Sequence, residues 1–202
     1  MTVSDEEPSV GKSVAPKDIP RAPHLPGDPD MWVMVLGDLF FFGCYFVVYM
    51  VFRARSAADF AAAQQHLNLS IGVGNTIVLL TSSMFVALAV ISVRQGAVAS
   101  GRRLLAAAGG CGVVFAVLKV CEWYLEISRG HTVGTEFFSF YYALTGIHLA
   151  HLLLGMLILG IAGRELRNSC RPRVGLVEQG AVFWHMVDLL WIVIFAIVYL
   201  MR

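Results

Sequence analysis

A chain of 202 residues in which 57% of the side chains are hydrophobic and 14% charged is far more apolar than an ordinary soluble domain, and it reads as an integral membrane protein. Its formal net charge is +1 and its Lys and Arg residues are scattered, which excludes the basic stripe of a nucleic-acid binder. Four cysteines (Cys44, Cys111, Cys121, Cys170) show no CxxC spacing, and three fall in apolar segments, so no disulfide framework is implied.

Residues 1–30 hold six of the seven prolines and mixed charges without an apolar core, and they read as a mobile tail that is not a signal peptide. Five apolar runs follow in residues 31–202, at about 31–52, 68–93, 104–127, 137–163 and 178–201. Each reaches the roughly 20 residues that a helix needs to cross a bilayer. Pro172 lies in a polar stretch, so no run contains a helix breaker. In the second run, Asn75, Thr76, Thr81, Ser82 and Ser83 suggest packing against other helices. In the third, Gly109, Gly110 and Gly112 allow close backbone approach. The polar connections are short and no repeat is visible, so the expectation is one all-α, polytopic bundle of five transmembrane helices.

Charge sets the expected orientation. Lys12, Lys17, Arg21, Arg94, Arg102, Arg103, Arg164, Arg167, Arg171 and Arg173 fall on the side of the N-terminus, against Arg53, Arg55, Arg129 and Arg202 on the other. The positive-inside rule then puts the N-terminus in the cytoplasm and the C-terminus outside.

Ionisable residues within the spans carry the most information, because one at mid-bilayer costs at least about 2.5 kcal/mol unless shielded. They are Asp38, Lys119, Glu122, His148, His151, His185 and Asp188. Lys119/Glu122, His148/His151 and His185/Asp188 each stand at i and i+3, so each pair projects from one side of its helix. Gly155 continues the His148 face and could admit another helix. Lys119 with Glu122 reads as helix–helix glue. His185 and Asp188 can satisfy each other or a partner helix, or serve a proton relay. The His148/His151 pair lacks the glutamate of HExxH, and a metal would need ligands from elsewhere. Trp184, Trp191 and Tyr199 read as packing or an interfacial belt. Two self-contained readings remain open: a membrane metalloenzyme built on His148, His151, His185 and Asp188, and a proton-coupled carrier using Asp38 and Glu122.

The segments "TGIHLAHLLLG" at 145–155 and "EQGAVFWHMVDLLWIVIFAIVY" at 178–199 resemble the two C-terminal signatures of subunit III of haem-copper oxidases, the cytochrome c oxidase subunit III family. "VLKVCEWY" at 117–124 is similar to the family's Gln-x-x-Glu-Tyr region, with Lys119 in place of the glutamine and Glu122 on the glutamate. "NTIVLLTSS" at 75–83 resembles the second-span signature, and the likeness runs colinearly from about residue 31 to the end. Five spans fit the short bacterial form. In "GDLFFFG", Asp38 stands where the family has a buried glutamate, which also resembles a branch associated with nitric oxide reductases.

The resemblance implies a non-catalytic accessory subunit of a respiratory oxidoreductase in the bacterial cell membrane. It implies no haem, copper or other metal in this chain and no catalytic residue here. Haem and copper belong to the partners, the catalytic subunit I and subunit II. The chain would bind phospholipid and support proton uptake and complex stability, with nucleic acid excluded as a partner. Asp38 is then expected to be a proton antenna or a staple to subunit I, roughly 10 Å below the cytoplasmic boundary. Lys119, Glu122, His148, His151, Glu178, Trp184, His185, Asp188 and Trp191 are expected in lipid-binding or interhelix polar contacts.

Overall fold

In the computed structural model, residues 29–168 and 174–201 are described. They form six helices: α1 (Pro29–Arg55), α2 (Ala57–Gln64), α3 (Leu69–Arg94), α4 (Val98–Ser128), α5 (Glu136–Asn168) and α6 (Val174–Phe195). The last of these continues into a π-helical turn at Ala196–Leu200. Five helices are long and apolar enough to cross a membrane, all but the short α2. The expected tail lies outside the described residues, apart from Pro29 and Asp30, which form the first turn of α1. A proline fits there because the first helical N–H has no partner to lose.

Two differences from the sequence expectation concern boundaries. The third span begins at Val98, not near residue 104, so Arg102 and Arg103 belong to the helix itself. Arginine is tolerated near a span's end because its long stem lets the charge reach the headgroup level. The connection after α1 is not plain loop, since its alanine-rich "AADFAAAQ" supports α2.

The bundle packs by small residues and matched stripes, because lipid provides no hydrophobic drive between helices. Buried positions of α3 run Gly72, Asn75, Leu79, Ser82, Val86, in steps of three and four. The α4 stripe, Leu105, Ala108, Gly112, Phe115, Lys119, Glu122, has the same rhythm. These are the seams of two helices packed lengthwise, and Ser82 Oγ fastens them by donating to the Ala108 carbonyl at 3.0 Å. Against this pair lies α6, the most buried span, whereas α1 is the least buried and exposes Val33, Leu36 and Phe40. From α6, the side chain of Trp184 reaches in to both α4 and α5. A Cβ at Gly155 would stand 2.9 Å from its ring, and one at Gly112 would meet it at 3.0 Å. Gly155 thus admits the neighbouring helix, as its position on the His148 face predicted.

Candidate functional site

At the end of the bundle opposite Pro29, the polar positions of three helices meet. Lys119 on α4 is fully buried, yet its ammonium donates to Glu122 Oε2 (2.9 Å), Tyr141 Oη (3.1 Å) and Tyr199 Oη (2.7 Å). Those three acceptors match its three N–H donors. Tyr199 Oη donates in turn to Glu122 Oε1 at 2.6 Å. The rings of Tyr141, Tyr199 and Trp191 lie 4.6, 5.2 and 5.3 Å from the ammonium, adding cation–π attraction. Lys119 and Glu122 therefore form an intrahelical ion pair, as their spacing suggested, and two tyrosines bind that pair to α5 and to the end of α6. Such a cluster can hold or pass a proton along its hydroxyls, and it joins three helices.

The π-helical turn is part of this arrangement. The last carbonyls of a helix lack intrahelical partners, and Gln64 of α2 takes two of those in the turn Ala196–Leu200: its amide donates to Ile197 O (3.2 Å) and Val198 O (3.0 Å). Arg53 Nη1 donates to Gln64 Oε1 at 3.3 Å. Beside these groups Glu126, buried one turn beyond Glu122, accepts from Arg129 (2.9 Å) and pairs with His131 Nδ1 (2.8 Å).

The two histidines of α5 serve different neighbours. His148 is fully buried among rings, 5.6 Å from Phe115 and 5.2 Å from Trp191 between centroids, and neither of its nitrogens has a hydrogen-bond partner among the described residues. His151 turns toward α1: its Nε2 lies 3.6 Å from Asp38 Oδ1, while its Nδ1 is 2.8 Å from the Ile147 carbonyl. That carbonyl fixes the tautomer, since only a protonated Nδ1 can donate to it. Asp38 and His151 remain partly exposed, at 27% and 21% of their side chains.

On α6, His185 and Asp188 do not pair with each other. His185 Nδ1 meets Ser83 Oγ of α3 at 2.7 Å. Asp188 is buried, its carboxyl oxygens make no close hydrogen bond among the described residues, and Ser83 is the polar group that acts on it. Spacing puts both residues on one side of the helix, but α3 supplies a hydroxyl that outcompetes the intrahelical contact. Trp184 Nε1 donates to Ser82 Oγ (3.1 Å) and Trp191 Nε1 to Thr76 Oγ1 (3.0 Å), so both indoles sit in the core rather than in an interfacial belt. Glu178 lies apart, near the end where α1 begins, paired with Arg94 at 2.8 Å.

The sequence reading passed over Glu126, Gln64 and Tyr141. Glu126 was discoverable, because it continues the Lys119/Glu122 stripe by four residues inside an apolar run. Gln64 and Tyr141 carry no local signal; only the fold brings them to their partners. Among the described residues, no three His, Cys, Asp or Glu side chains gather as a metal-ligand set.

Known proteins share this architecture in sequence. The family model described as cytochrome c oxidase subunit III matches residues 29–202. The chain is 28% identical to the cytochrome bo(3) ubiquinol oxidase subunit 3 of Buchnera aphidicola, over 84% of each protein. It is also 28% identical to a probable cytochrome c oxidase subunit 3 of Mycobacterium leprae, over 84% of this chain and 85% of that one. A cytochrome c oxidase subunit 3 of Corynebacterium diphtheriae is 27% identical over the same shares. Because the family match takes in all five membrane-crossing helices and the whole buried polar cluster, the chain belongs to the cytochrome c oxidase subunit III family of the haem-copper oxidases.

Proposed function

We propose that this subunit is a non-redox accessory component of a respiratory oxidase in the bacterial cell membrane, seated beside the haem- and copper-bearing subunit I, with subunit II in the same complex. Haem and copper stay with those partners; this chain contributes proton handling, bound phospholipid and cohesion. The observation that carries this reading is the Asp38–His151 seam. It places a carboxyl and an imidazole 3.6 Å apart, partly open, on the least buried helix of the bundle. A helix with so much apolar surface left uncovered is where a membrane partner packs, and an ionisable pair on its flank can collect protons for that partner. The excess of arginine at the end where α1 begins supports a cytoplasmic N-terminus and an outside C-terminus. The relatives that the chain resembles are subunits of oxidases, which favours oxygen over nitric oxide as the acceptor of the complex.

Asp38→Asn in the assembled complex tests the reading. Proton uptake or long-term turnover should fall about tenfold, less than the roughly hundredfold that a group transferring the proton in the chemical step itself contributes, while the haem spectra of the complex stay unchanged. If uptake, endurance of turnover and subunit retention all match the unmodified complex, Asp38 is only a tolerated polar residue and the antenna role is wrong.

A further inference from the structure

One groove is used by none of the contacts above. It runs between α4 and α5 at the end of the bundle where α1 begins and encloses about 730 Å³. Arg102 and Arg103 of α4 and Arg164 and Arg167 of α5 line it, and among the described residues no acidic side chain does. Deeper in, its wall is formed in part by Gly109, Gly160 and Gly163.

These glycines differ from those that pack the helices. A Cβ at Gly112 or Gly155 would come within 2.9 Å of another side chain, but at Gly109, Gly160 and Gly163 it would meet nothing within 4 Å. Helix approach inside the chain does not need them, and their effect is to leave the groove deep. The arginines are not explained by their helices alone either. A cation suits the last turns of α5, yet Arg102 and Arg103 sit near the start of α4, the end whose dipole does not favour a cation. The positive-inside rule asks for positive charge at this end, but not that two helices set four guanidinium groups around one cleft.

We propose that this groove holds an anionic phospholipid. The guanidinium groups of Arg102, Arg103 and Arg164, a kind of group that matches phosphate oxygens two at a time, take the headgroup. The first part of an acyl chain lies along the glycine wall, which reaches roughly 10 Å below Arg102, seven residues at 1.5 Å each. A free phosphate would use the arginines and ignore the glycines, so the wall points to a lipid. The proposal gives the lipid-binding role above a location and a headgroup charge, and it rests on that role only for the membrane setting.

The full-length subunit, within its oxidase complex, would be exchanged into nanodiscs of phosphatidylcholine containing a minor fraction of phosphatidylglycerol. Retained lipid would then be counted by native mass spectrometry. The unmodified protein should enrich phosphatidylglycerol, and Arg102→Gln with Arg164→Gln should lower that enrichment by roughly fivefold for each arginine lost. Gly109→Leu with Gly160→Leu should lower it too, with all four arginines in place, because the leucines fill open space without striking the core. The proposal is overturned if the arginine pair keeps the full enrichment, if the glycine pair changes nothing, or if inorganic phosphate at millimolar concentration displaces the lipid. Should those results come from a complex whose total phospholipid and turnover are normal, this site alone fails and the accessory role stands.

Discussion

Lys119 and His148 are neighbours in the core of the same bundle, and they are built on opposite terms. Around Lys119 every hydrogen-bonding group has a partner: three donors, three acceptors, and a return bond from Tyr199 to Glu122. Around His148 the neighbours are rings, and both imidazole nitrogens are buried without a bond. Among the described residues, the buried amide of Asn75 and the carboxyl oxygens of Asp188 are likewise without a hydrogen bond. A saturated network in a low-dielectric interior fixes one arrangement of its helices, because any shift strands a charge. An unsaturated group costs stability where it stands, unless water reaches it. The bundle therefore has a locked end and, nearer mid-span, polar groups that its own packing does not secure.

That contrast predicts unequal responses to mutation. The largest is expected for Lys119→Met, which leaves Glu122 buried without a counter-charge and should destabilise the subunit by about 3–5 kcal/mol. Adding Glu122→Gln should recover most of the loss, since removing both charges is far cheaper than removing one. Reversible unfolding in mixed micelles measures both. If the single variant loses under 1 kcal/mol, the network is not a lock.

A smaller effect is expected for Thr76→Val, which keeps the shape of the side chain but removes the acceptor of the Trp191 N–H and should cost about 0.6 kcal/mol, the usual size of a hydrogen bond between membrane helices. Smallest should be Asp188→Leu. It removes a carboxyl held by no more than the nearby Ser83 hydroxyl and should be neutral or mildly stabilising in the same titration. A loss comparable to that of Lys119→Met would mean that Asp188 has a partner such as an internal water, and the contrast would disappear.

The five spans were legible in the sequence because apolar length is a direct requirement of the bilayer. The Lys119–Glu122 pair was legible too, since its partners lie three residues apart on one helix. What escaped the sequence depends on long-range contact. Whether His185 bonds Asp188 or Ser83 is decided by how close α3 comes, and spacing along α6 says nothing of that. The two histidines of α5 share a side of their helix by arithmetic, yet one faces α4 and α6 and the other faces α1. Tyr199 read as packing or an interfacial belt, and only the π-helical turn and the approach of α4 reveal it as a partner of Lys119. The short α2 was hidden for another reason: eight alanine-rich residues between two spans carry too little apolar surface to stand out.

The hydrogen bonds of Gln64 also bear on the order in which the chain is completed. Its amide bonds the carbonyl of Ile197, 133 residues further along, so α2 is synthesised long before the backbone that holds it exists. Tyr199 likewise reaches Lys119 across 80 residues. A polypeptide stopped at Phe195 would contain nearly all of its membrane-crossing length and still leave Gln64, Lys119 and Glu122 short of partners. The turn Ala196–Leu200 thus acts as a clasp, closing contacts that α2 and α4 can make only once it is in place.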